Sequence, residues 1–193
     1  MTEVALPHHR GLKVMMTWQT SQPNWDPKGS ILQGDLKTAF LQAENLSNLV
    51  FVRIPKDPGC RNQEDWDLVN SMFGSEGFAE AVQTLYGTSD APANLDSAVR
   101  KSLIERGFHE SLSCPNLYRR ITAKGVRYKD LPTDKEERRK LMAKGVAIDS
   151  WVYVYVDDLM IGTGLTKAID VALELQTRWK FKEAPNLSPL TDF

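Results

Sequence analysis

The stretch from Trp151 to Gly162 reads Trp-Val-Tyr-Val-Tyr-Val-Asp-Asp-Leu-Met-Ile-Gly and leaves the chain few folds to choose from. Val152, Val154 and Val156 alternate with Tyr153, Tyr155 and Asp157, the period of two that gives a strand two chemically different faces. After Asp157 and Asp158 the apolar run resumes with Leu159, Met160 and Ile161, which predicts a tight hairpin with both aspartates at its tip. Adjacent carboxylates repel by roughly 1 kcal/mol in water and about 4 kcal/mol at an effective dielectric of ~20. A half-buried pair therefore needs a cation nearby, and a hard divalent metal is the first candidate. Aspartate is also a common turn former, so an ordinary polar turn accounts for the same two residues.

Around this hairpin the chain has ordinary globular composition: 193 residues, 41% hydrophobic and 25% charged, long enough for one substantial core. No run approaches the roughly 18 apolar residues of a membrane-spanning helix, and the first residues lack the apolar centre of a signal peptide. An intracellular protein without a membrane partner is expected. Cys60 and Cys114 have neither metal-ligand nor disulfide-framework spacing. A formal net charge of -1 gives no global basic signature and argues against a self-sufficient nucleic-acid binder, leaving phosphate contacts to local charge.

Read in order, Leu12 to Thr20 has the spacing of a short amphipathic helix, and the proline- and glycine-bearing stretch after it is a loop. Ile31 and Leu32 begin a strand; Asp35 stands where it gives way to a helix-like turn at Thr38 to Leu41, either as a second isolated carboxylate at a strand end or as a turn cap. Leu49 to Pro55 alternates as a strand, and the polar run from Cys60 to Glu76 suggests a loop with a short helix. Leu95, Val99, Leu103 and Ile104 have helical spacing before Gly107. Thr133-Asp134 is positioned to cap a helix from about Lys135 to Ala143, whose mixed charges read as a solvated surface. Gly162-Thr163-Gly164 reads as a turn, and Lys167 to Lys180 as an amphipathic helix.

Several of these segments, in this order, resemble the reverse transcriptases of copia-type LTR retrotransposons. Gly34-Asp35-Leu36-Lys37-Thr38-Ala39-Phe40-Leu41 is similar to the family's first catalytic motif, an aspartate followed five residues on by an aromatic. Pro55, Pro58 and Gly59 match the turn that follows it, and Leu85-Tyr86-Gly87 with Ala91-Pro92 resembles the next motif, at the head of a long helix. Ser113-Cys114-Pro115-Asn116-Leu117-Tyr118 is similar to the segment before the catalytic hairpin, and Tyr155-Val156-Asp157-Asp158 to the hairpin itself. The chain departs from the pattern at Thr88, Ser89, Asp90 and Ala93, where the family has leucine, lysine, glutamine and arginine. Asp90 only accepts hydrogen bonds and repels phosphate, so this loop is a weaker nucleotide site than the family's.

The resemblance implies an α+β fold, a ferredoxin-like polymerase palm: an antiparallel sheet backed by two helices, with partial fingers and no thumb. Residues 1–30 would be an amino-terminal segment with partial fingers, and 31–193 the palm, carrying a charged insertion at about 121–150. Asp35, Asp157 and Asp158, with the Leu36 carbonyl, would hold two Mg2+ ions, or Mn2+, for transfer of deoxynucleotides to a primer 3'-hydroxyl. Phe40 would lie under the incoming sugar, Asp90 near the nucleotide and Tyr155 near the primer terminus. RNA template, DNA primer and deoxynucleoside triphosphates would be the partners, in a cytoplasmic particle or the nucleus. Integrase, thumb and ribonuclease H would be the neighbouring domains of a polyprotein. The alternative is a degenerate or domesticated palm that lacks polymerase activity and binds nucleic acid or a protein.

Overall fold

Alternating apolar residues build an antiparallel sheet, and two helical repeats supply a layer to cover it. The computed structural model describes residues 9–26, 29–43, 50–53, 63–73, 78–182 and 188–189. In chain order the elements are α1 (His9–Thr20), β1 (Ile31–Asp35), α2 (Ala39–Gln42), β2 (Phe51–Arg53), α3 (Gln63–Phe73), β3 (Phe78–Glu80), α4 (Ala91–Glu105), β4 (Phe108–Ser111) and β5 (Cys114–Ala123). A 3-10 turn at Tyr128–Asp130, α5 (Lys135–Ala143), β6 (Val146–Tyr155), β7 (Asp158–Thr163), α6 (Ala168–Gln176) and the two-residue β8 (Ser188–Pro189) follow. The chain is thus α+β. Among the described residues six strands form one sheet in the order β4-β5-β6-β7-β1-β8, and β2 pairs with β3 in a separate ribbon. The expected turn at Pro55, Pro58 and Gly59 lies outside the described residues.

The sheet is buried on both faces, which is why Trp151, Val152, Tyr153 and Val154 are all buried instead of alternating in and out. On one face Leu32, Val152, Val154, Leu159 and Ile161 pack against Leu95, Val99 and Leu103 of α4 and Val171, Ala172 and Leu175 of α6. Each such side chain contributes about 1.5–3 kcal/mol when fully buried. On the other, Ile31, Cys114, Leu117, Trp151 and Tyr153 gather under Met15 of α1. Trp151 Nε1 donates to Gln19 Oε1 at 2.9 Å in the buried interior, tying α1 to β6. Gly162, expected in a turn, lies within β7: its partner across the strands is Trp151, whose indole fills the space a Cβ would need. The turn begins at Gly164, where a side chain would meet the carbonyls of Ile148 and Asp149.

The two ends of the charged stretch are sheet. Ile121, Thr122 and Ala123 pair with Ile148, Ala147 and Val146, so the excursion proper is 124–145. Within it α5 forms where expected, and Asp134 caps it by accepting from the amides of Glu136 at 3.0 Å and Glu137 at 2.9 Å. The excursion is held to the sheet by a buried polar cluster. Arg120 Nε donates to Asp149 Oδ2 at 2.8 Å, Arg120 Nη1 donates to Glu174 Oε2 at 2.8 Å, and the guanidinium lies over the Phe108 and Tyr128 rings. Asp149, completely buried, also accepts from Tyr128 N and Thr166 Oγ1, each at 2.8 Å.

Candidate metal centre at the hairpin tip

Strand β6 ends at Tyr155 and β7 begins at Asp158, and these two residues are paired. The tip is therefore a two-residue loop of Val156 and Asp157, which corrects the expectation of a tip made of two aspartates. Asp158 belongs to the outgoing strand. The first loop residue of such a turn commonly needs a positive φ, a position that favours glycine. Val156 occupies it with φ 56°. A β-branched residue there stores about 1–3 kcal/mol of strain, a cost that concentrates at functional sites. Thr38, just after β1, is a second β-branched residue in the left-handed region, with φ 48°.

The register brings the acids together. Asp35, the last residue of β1, lies directly opposite Asp158, and Asp158 lies opposite Tyr155. Residues opposed in this way share a face of the sheet, with Cβ atoms about 4.5–5.5 Å apart. Asp157 follows at the turn, and its carbonyl accepts from the Leu36 amide at 2.9 Å, which anchors the tip to the end of β1. Burial pushes the Asp158 carboxyl above its ordinary value, and the charges of Asp35 and Asp157 push it further; Lys182 opposes them. Asp35 Oδ2 accepts from Lys182 Nζ. Its Oδ1 is buried and has no hydrogen-bond partner among the described residues.

Lys182 was not marked by the sequence reading, although a signal exists. Trp179 and Phe181 are buried and alternate with the exposed Lys180 and Lys182, the pattern of a short extended segment with two lysines on one side. That segment runs antiparallel to the end of β1. Leu36 bridges to Phe181, Lys182 N donates to Asp35 O at 2.8 Å and Lys37 N to Lys180 O at 2.8 Å. The ammonium of Lys182 is held above its ordinary value by its hydrogen bond to Asp35, reinforced by the charges of Asp35 and Asp157.

The remaining expected residues are distributed around this centre. Leu36 is wholly buried in the core. Phe40 is 6% exposed, and its ring meets Tyr86 edge to face with centroids 4.4 Å apart. Tyr86, another residue that the sequence reading gave no role, presents the more open surface at 70% exposed. Tyr155 is half exposed on the face shared with Asp35 and Asp158. Asp90 stands at the start of α4, where Ser89 Oγ donates to its Oδ1 at 2.8 Å. Beside α2 opens a groove of about 810 Å³ lined by Thr38, Leu41, Gln42, Ala43, Gln83, Arg178 and Lys180, with two cations and no acid among the described residues.

A hard divalent ion suits this donor set. Two opposed carboxylates, a third on the adjoining turn and an orphaned carboxylate oxygen favour positive charge, a demand that the Lys182 ammonium meets only in part. Among the described residues no three His, Cys, Asp or Glu side chains are drawn together into a preformed cage, so a metal would have to complete the convergence. Comparison of the chain with protein-family models, with curated proteins and with solved structures gives no match. No helix among the described residues is long and apolar enough to cross a membrane.

Proposed function

We propose that the chain is a reverse-transcriptase palm of the copia type, an RNA-directed DNA polymerase region that extends a DNA primer on an RNA template. The observation that carries this reading is the register of Asp35 opposite Asp158 beside the strained tip at Val156. The topology supports it: β1, α4, β6, β7, α6 and β8, with strand order β8-β1-β7-β6, follow the β-α-β-β-α-β course of a ferredoxin-like palm. Strands β4 and β5 extend that sheet at one edge.

Asp35, Asp157 and Asp158, with the Leu36 carbonyl, would hold the Mg2+ ions. When bound, such ions activate a primer 3'-hydroxyl and offset the charge of the triphosphate in an in-line displacement. The chain's own residues orient the partners. The tip bond from Leu36 N to Asp157 O fixes the acids relative to one another, and Tyr155 offers a half-exposed ring beside them for the primer terminus. Phe40, braced by Tyr86, would form the apolar floor under the sugar. The basic groove with Arg178 and Lys180 would receive phosphate charge, a service that Asp90 is unable to give.

Primer extension on an RNA template with Mg2+ or Mn2+ tests the reading. Deoxynucleotide incorporation by the wild-type chain, abolished in Asp157→Asn, is expected. No incorporation by a folded chain that still binds RNA–DNA hybrid would favour the second reading, a palm kept for binding. Asp90 in the loop before α4 is the feature that favours this alternative.

A further inference from the structure

The ammonium of Lys182 on Asp35 is delivered by a pinned backbone. On one side Phe181, 5% exposed, and Trp179, 2% exposed, are sunk in the core, and the main chain is bonded to Asp35 at the end of β1 and to Lys37 just after it. Lys182 itself remains open to solvent, with 55% of its side chain exposed against 35% for Asp35. This geometry puts a positive charge on Asp35, one of the three acids of the cluster. The ammonium satisfies Oδ2 and leaves the buried Oδ1 without a partner among the described residues. That oxygen is left for a divalent ion to engage.

We infer that Lys182 is an internal counter-ion of the acid cluster, which keeps Asp35 in place when no metal is bound and is displaced from Asp35 when a divalent cation enters. The inference rests on the metal-centre reading of Asp35, Asp157 and Asp158. Metal binding then becomes an exchange of one cation for another. The apparent affinity for the metal is weakened by whatever free energy the Lys182–Asp35 pair contributes, and the chain is spared three uncompensated acids between metal-loaded states. Because the pair is exposed, the penalty is modest and fades with salt.

The test is Mn2+ binding to the full chain at low ionic strength, followed by calorimetry and by the electron paramagnetic resonance signal of free Mn2+. Wild type is compared with Lys182→Met, Lys180→Met and Asp35→Asn. Lys180→Met removes the same charge from the same segment without touching Asp35, and so reports the general loss of positive potential. Lys182→Met is expected to bind Mn2+ about two- to fivefold more tightly than wild type, the range set by an exposed ion pair. Lys180→Met is expected to change affinity less, and Asp35→Asn to lose the site. Equal affinity in wild type and Lys182→Met, an equal gain in Lys180→Met, or weaker binding in Lys182→Met would overturn the counter-ion role while leaving the metal centre standing. Absence of Mn2+ binding at Asp35 in every variant would overturn the metal centre, and the inference with it.

Discussion

Replacing Asp149 by alanine removes the acid that Arg120, Tyr128 N, Thr166 Oγ1 and Ser150 Oγ all address. Arg120 is 4% exposed, so its guanidinium would stay buried with Glu174 as its remaining acid; that partner's side chain is 38% exposed and its pull is weakened by water. Removing one partner of a buried pair typically costs about 3–5 kcal/mol, because the other charge is left desolvated. Against a total stability of about 5–15 kcal/mol this is a large fraction. For a chain of this length it corresponds to a fall in melting temperature of about 6 to 20 °C. Urea denaturation followed by circular dichroism should show a lower midpoint with an unchanged slope. The milder Asp149→Asn keeps an oxygen for Tyr128 and Thr166 and should lose less, about 1.5–3 kcal/mol. A loss below about 1 kcal/mol in Asp149→Ala would refute the idea that this cluster clamps the 124–145 excursion and the start of α6 to the sheet.

Two further outcomes follow from the site and its sheet. Burial, with the charges of Asp35 and Asp157, holds the Asp158 carboxyl above its ordinary 3.8, so the folded chain keeps that proton longer than the unfolded chain does. The resulting stability is full below the ordinary value and is lost as pH rises through the raised one. Melting curves of metal-free protein from about pH 4 to about pH 7 should therefore show a downward component that Asp158→Asn removes; an identical pH profile in the variant would contradict it. Gly162→Ala would drive a methyl into the Trp151 indole and should cost about 1–3 kcal/mol in urea denaturation, whereas wild-type stability would show that the ring does not need that space.

What the sequence disclosed was mostly local. The capping aspartate and the mixed charges of α5, the helical spacing of Leu95, Val99 and Leu103, and the apolar stripe of α6 are each set by neighbours within a few residues; α4 and α5 formed where expected, whereas α6 ends at Gln176 and the expected continuation to Lys180 is a turn followed by the extended segment that carries Trp179. The hairpin was legible because its two strands are contiguous, but its tip was misjudged by one residue. A positive φ at Val156 is strain that no propensity would choose, and it goes with the two-residue loop left by the Tyr155–Asp158 pairing. Partnerships across long separations were hidden. Phe51 to Arg53 meets Phe78 to Glu80, Arg120 meets Asp149 and Glu174, and Lys182 meets Asp35 only once the sheet is assembled. Arg120 and Asp149 drew no role from the sequence because nothing in their local pattern reports that β5 and β6 extend into the ends of the charged stretch and pair there.

The convergence of Asp35, Asp157 and Asp158 on a divalent cation is tested most directly by crystals of the full chain grown with Mn2+ and measured for anomalous scattering. An anomalous peak contacting Asp35 and at least one of Asp157 and Asp158, with Lys182 turned away from Asp35, is the predicted result. A well-ordered hairpin with Lys182 still on Asp35 and the manganese bound elsewhere would contradict it.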